Sequence, residues 1–177
     1  HNIRSYLISH EIPLEINDLL EEQFKRFTQK EQYVLFLLAI ERREVTKEEI
    51  FKKIVKIYFS PAEFERSLNN LQYRSFADYD SELHLFTLQP VILEFLVQKL
   101  TNILIEEITT GQVTNYLALI PFLDLEAKDY ILVSQKNIFV KPLVDAIIKI
   151  HGEMQFVNYV KIILSKISVD KDYACGN

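Results

Sequence analysis

Three stretches of this chain carry the same local instruction. Thr28-Gln29-Lys30-Glu31, Thr46-Lys47-Glu48-Glu49 and Ser60-Pro61-Ala62-Glu63 each set a hydroxyl residue three positions before a glutamate. In such a capping box the hydroxyl accepts a free backbone N–H of the first helical turn, and the glutamate reaches back to the N–H of the cap. Each box fixes a helix start, so the spacing predicts short helices in close succession. Pro61 reinforces the third, because a missing N–H costs nothing at the first helical position.

Apolar periodicity fills in the elements. Ile16 to Phe27 reads as a first helix, with Ile16, Leu19, Leu20, Phe24 and Phe27 on one inward stripe. Gln29 to Ile40 is a second. Its run Val34-Leu35-Phe36-Leu37-Leu38-Ala39-Ile40 is apolar almost all round, as a buried central helix requires. Lys47 to Ile57 is a third, turning Ile50, Phe51, Ile54 and Ile57 inward, and Pro61 to Tyr73 a fourth, turning Phe64, Leu68 and Leu71 inward. Ser75 to Tyr79 and Leu83 to Leu88 alternate about a polar turn, Asp80-Ser81-Glu82, which predicts a hairpin.

Phe86-Thr87-Leu88-Gln89-Pro90-Val91 joins the hairpin to another helix without a loop. Pro90 suits a first helical turn and disfavours helix for Gln89, so strand can become helix within one residue. Helical segments then follow at Val91–Ile108, Val113–Ile120, Leu125–Asn137, Phe139–Ile150 and Glu153–Ile167, punctuated by Gly111, Pro121, Pro142 and Gly152. The expected fold is mainly α: a winged helix-turn-helix with a small β-hairpin wing, followed by an α-helical domain. The expected division is 1–15 as the end of a preceding region, 16–89 as the winged helix, 90–170 as the helical domain and 171–177 as a linker onward. The chain opens on His1 and its one methionine is Met154, which reads as a piece of a longer protein.

Charge narrows the partners. Twenty cations against 25 anions leave a net charge of −5. Between Ser60 and Gln89 only Arg66 and Arg74 oppose Glu63, Glu65, Asp78, Asp80 and Glu82. A duplex-binding wing offers lysine or arginine to phosphates, so this one argues against a nucleic-acid partner. Cys175 is alone and cannot close a disulfide within the chain, which fits a reducing, cytoplasmic setting. The apolar run at 90–108 is broken by Glu94, Gln98, Lys99, Thr101 and Asn102, too polar for a membrane span.

Catalytic signatures are absent from the pattern. Gly111, Gly152 and Gly176 lie too far apart for a phosphate-binding P-loop. His1, His10, His84 and His151 are scattered, so no metal-ligand spacing emerges. The adjacent pairs Glu48-Glu49 and Glu106-Glu107 point apart on a helix and read as solvated surface. The chain is expected to be non-catalytic, with no cofactor or metal of its own.

Several stretches carry a family likeness. Leu19-Leu20-Glu21-Glu22-Gln23-Phe24-Lys25-Arg26-Phe27, Glu31-Gln32, Leu38-Ala39-Ile40-Glu41-Arg42, Arg74-Ser75 and Phe86-Thr87-Leu88-Gln89-Pro90-Val91 resemble the region after the nucleotide-binding core of bacterial STAND-class NB-ARC ATPases. The nearest type is cyanobacterial, ending in WD or pentapeptide repeats. The likeness runs on through Ala127-Lys128-Asp129-Tyr130 and Ser134-Gln135 to Tyr173-Ala174-Cys175-Gly176-Asn177. It implies a regulatory module that closes over ADP held by the core of the same polypeptide. ATP exchange would then swing it, permit homo-oligomerisation and couple it to a C-terminal repeat domain. Plant and animal members sense the nucleotide with a Met-His-Asp motif; here Leu88, Gln89 and Pro90 stand at the matching positions. Gln89 can donate to a phosphate but carries no charge, and Pro90 supplies no carboxylate. Gln89 is thus a candidate nucleotide contact in the longer protein, or else a helix cap or solvated side chain. The competing functional readings are a winged-helix DNA-binding regulator and a plain protein-interaction scaffold.

Overall fold

A computed structural model describes residues 12–54, 59–111, 116–120 and 129–174. Four helices come first: α1 (Leu14–Phe24), α2 (Gln29–Glu41), α3 (Lys47–Lys53) and α4 (Pro61–Tyr73). Strand β1 (Val45–Thr46) precedes α3, and β2 (Asp78–Asp80) and β3 (Leu85–Thr87) follow α4. The three strands form one antiparallel sheet in the order β1-β3-β2. Then come α5 (Pro90–Thr110), α6 (Tyr116–Leu119), α7 (Asp129–Gln135), a π-helical turn (Lys136–Val140), α8 (Lys141–His151) and α9 (Glu153–Ala174). The described part is mainly helical, as expected.

All three capping boxes form. The Thr28, Thr46 and Ser60 hydroxyls accept the N–H groups of Glu31, Glu49 and Glu63 at 3.3, 3.2 and 3.3 Å. Each glutamate returns to its cap N–H, at 2.7, 2.8 and 3.0 Å.

α2 is the buried centre: every residue from Tyr33 to Ile40 is buried. Burying polar groups is costly unless they are paired, so the polar residues of such a helix must be joints. Glu31 accepts from Asn70 of α4 at 2.6 Å. Glu41 pairs with Lys53 of α3 and lies 3.2 Å from Arg43 Nε. Around α2 the rings interlock, Phe24 meeting Phe36 at 5.4 Å and Phe95 at 5.9 Å. α5 packs against α1 and α2, and also against α6, α8 and α9. It contributes Ile92, Phe95, Leu96, Leu100 and Leu104 to the core.

Several expectations are corrected. α1 ends at Phe24, and its outer residues Ile16 and Leu19 are 42% and 57% exposed, so its inward stripe narrows to Leu20, Phe24 and the following Phe27. The hairpin turn is Ser81–His84, with Asp80 ending a strand instead of opening the turn. Val45-Thr46 adds a strand that two residues of periodicity could not announce. α8 begins at Lys141, after a π turn that the period of 3.6 did not predict. Pro142 gives no N–H to the preceding turn and its ring crowds it, and the widened register falls there. α9 runs on to Ala174, past the expected end at Ile167. Ile57, Val113–Asn115 and Leu125–Lys128, read as helical from sequence, lie outside the described residues.

Candidate functional site

The corner between the β2–β3 hairpin and α5 is built by the sheet. Tyr79 faces Phe86 across the β2–β3 pair, with ring centroids 4.7 Å apart. Lys47 stands 6.0 Å over the Tyr79 ring and pairs with Glu65 at 2.7 Å. The Asp80 carboxylate gathers the N–H groups of Glu82 and Leu83 at 2.8 and 2.9 Å, which closes the hairpin turn. His84 takes a positive φ of 57°, and its Nδ1 lies 2.9 Å from the Tyr79 hydroxyl.

Gln89 occupies the corner in extended conformation (φ −65°, ψ 146°), directly before Pro90. Its carbonyl opens the helix, accepting Leu93 N–H at 2.9 Å. Its side chain is exposed and makes no cap; the amide nitrogen reaches Asp78 Oδ1 at 3.5 Å. α5 therefore starts with no side-chain cap and no acidic residue in its first turn. Free N–H groups and the positive end of the helix dipole favour an anion there. The Asp78 carboxylate beside the Gln89 amide opposes one. Arg42, in left-handed conformation after α2, pairs with Glu94 one turn into α5 at 3.4 Å.

A second polar constellation escaped the sequence reading. Glu107, expected at the solvated surface, is 5% exposed. Its two carboxylate oxygens accept the N–H groups of Tyr116 and Leu117 at 3.1 and 2.8 Å. The Tyr116 hydroxyl donates to Gln32 Oε1 at 2.8 Å, and its ring lies 4.8 Å from Tyr33 and 5.1 Å from Phe36. Burial above all, with Tyr33 and the Glu107 charge adding, pushes the Tyr116 phenol up to about 12. Burial and then Glu107 raise Tyr33 as well. No local spacing relates Glu107 to Gln32; only the fold brings them together. Glu48 and Glu106 are exposed, as expected, while Glu49 is held in its capping box.

Among the residues of the family likeness, Arg74 stacks on Phe27 at 5.0 Å and Ser75 adopts φ 57°, so that pair shapes the exit from α4. No group of three or more His, Cys, Asp and Glu among the described residues is gathered for a metal ion. No helix among them is long and apolar enough to cross a membrane.

Comparison with known proteins adds one relative. The chain is similar to an uncharacterized WD repeat-containing protein of Nostoc sp. (strain PCC 7120), with 27% identity over 200 aligned positions. The alignment takes in 92% of this chain and 16% of the relative, so the chain spans about a sixth of that protein's length. No family model matches the chain. No solved structure matches it either.

Proposed function

We propose that the chain is a non-catalytic regulatory module of a STAND signalling ATPase: a winged helix with a helical arm. It closes on the ADP-bound core of the same polypeptide and couples nucleotide exchange to oligomerisation and to a repeat domain. One observation carries the reading: the order α2-β1-α3-α4-β2-β3, with strands arranged β1-β3-β2 and a handover to the long α5 at Gln89-Pro90, supports a winged-helix assignment. The likeness to a much longer WD repeat-containing protein is consistent with a module set among other domains. The uncapped start of α5 supports a phosphate contact at Gln89, supplied by neutral donors in place of a histidine.

ADP and ATP belong to the core in this reading, so the isolated chain holds nucleotide poorly. Calorimetric titration with ADP tests it: micromolar binding by these 177 residues alone would overturn it. In the longer protein, Gln89→Ala should speed ADP release; unchanged release would remove Gln89 from the site.

A further inference from the structure

α6 is a single turn of four residues. A helix that short cannot hold itself, because nucleation is unfavourable and few bonds follow it. Its place is set by what it touches, and much of that is concentrated on Tyr116. The Tyr116 and Leu117 N–H groups go to Glu107, the Tyr116 hydroxyl goes to Gln32, and the ring rests on Tyr33 and Phe36. Gln32 is itself fixed, donating to the Phe27 carbonyl at 3.1 Å. α5 is different. Its row Ile92, Phe95, Leu96, Leu100 and Leu104 is buried along several turns and does not depend on α6 for its own helical bonds.

We propose that α6 is a releasable latch, clipped by Tyr116 to Gln32 of α2 and Glu107 of α5, which opens locally while α2, α4 and α5 stay folded. Local opening draws on segments with little buried surface, and none of the four α6 residues is fully buried, whereas α2 is buried from Tyr33 to Ile40. Released, α6 uncovers the Tyr33 and Phe36 rings and leaves Glu107 without its two N–H donors. Within the proposed signalling module this supplies a two-state element at the junction of wing-bearing half and helical arm. Only that use rests on the module reading; the latch itself does not.

Native-state hydrogen exchange on the whole chain tests it, with no nucleotide present. The readouts are the bonded amides of Tyr116, Leu117 and Ile120, the last donating to the Tyr116 carbonyl. They should exchange with almost no dependence on added denaturant, while the amides of Val34–Ile40 exchange with the full dependence of global unfolding. Tyr116→Phe keeps the ring and removes one hydrogen bond, so the three α6 amides should exchange about ten-fold faster. The α2 amides should move no further than any change in global stability. Should the α6 amides show the denaturant dependence of α2, or should Tyr116→Phe speed both sets equally, α6 is ordinary core and the latch is wrong. ADP titration of the longer protein can fail without touching this result.

Discussion

The two halves of the molecule start their helices in different ways. Before the β2–β3 hairpin, α2, α3 and α4 each begin on a capping box written within four consecutive residues. After the hairpin, α5 has no side-chain cap and α8 grows out of a π turn. α6 borrows its cap from Glu107, nine residues earlier and on another helix. The starts of α2, α3 and α4 are specified locally. The second half is specified by packing, so its boundaries depend on contacts that close only once the chain has folded. Polar side chains of α2 also reach other elements: Glu31 accepts from Asn70 of α4, Gln32 accepts from Tyr116 of α6, and Glu41 pairs with Lys53 of α3.

If α5 and α2 bind the halves into one cooperative unit, damage at their meeting point must be felt in both. Phe36 is fully buried, touching Phe24 on one side and Tyr116 on the other. Phe36→Ala should cost about 3–5 kcal/mol, the range for truncating a buried phenylalanine. Urea unfolding followed by amide signals from α4 and α8 should shift by the same amount at both. A shift confined to α4 would separate the halves. Next in size is the borrowed cap. Glu107→Ala removes two hydrogen bonds to a buried charged group and should cost about 2–3 kcal/mol. Glu106→Ala, one residue away and exposed, should stay within about 0.5 kcal/mol.

That pair also shows how much the sequence could disclose. Adjacent carboxylates on a helix point apart, which is true of Glu106 and Glu107, but which of them faces inward depends on where α6 lands. The same limit hid β1, whose Val45 and Thr46 become a strand only because Phe86 and Leu85 lie opposite. By contrast the starts of α2, α3 and α4, the buried run on α2 and the inward face of α4 were legible, since hydroxyl, glutamate and apolar period act within one or two turns. At the candidate corner, Pro90 announced the loop-free handover from strand to helix. Asp78 beside the Gln89 amide could not be read, because eleven residues and a hairpin separate them.

Two substitutions sharpen the contrast between local and borrowed caps. Thr46→Ala removes a formed box and should cost about 1 kcal/mol, measurable by denaturation. The reverse experiment writes a cap where none exists. Ser60-Pro61 and Gln89-Pro90 share their backbone, both caps extended and both followed by proline at the first helical position. Gln89→Ser should therefore stabilise the chain by about 0.5–1 kcal/mol. A loss instead would mean that the Asp78 contact already contributes more than a missing cap withholds.

The smallest effect is read from a single carboxyl. Glu63 accepts the Ser60 N–H and hydroxyl and lies 3.1 Å from Lys30. The Ser60 N–H above all, then its hydroxyl and Lys30, hold the Glu63 acid down to about 2. A carboxyl depressed in the folded state stabilises fully above its ordinary unfolded value and loses that contribution as pH falls through the folded one. The box at α4 should thus survive mild acid and open only as pH approaches about 2. Carboxyl resonances followed by NMR should give Glu63 a low midpoint in the native chain. Ser60→Ala removes the hydroxyl but leaves the backbone N–H, so the midpoint should rise part of the way toward the ordinary value. A full return would mean that the backbone bond forms only when the hydroxyl holds the glutamate in place, and that even the most local of these caps is cooperative.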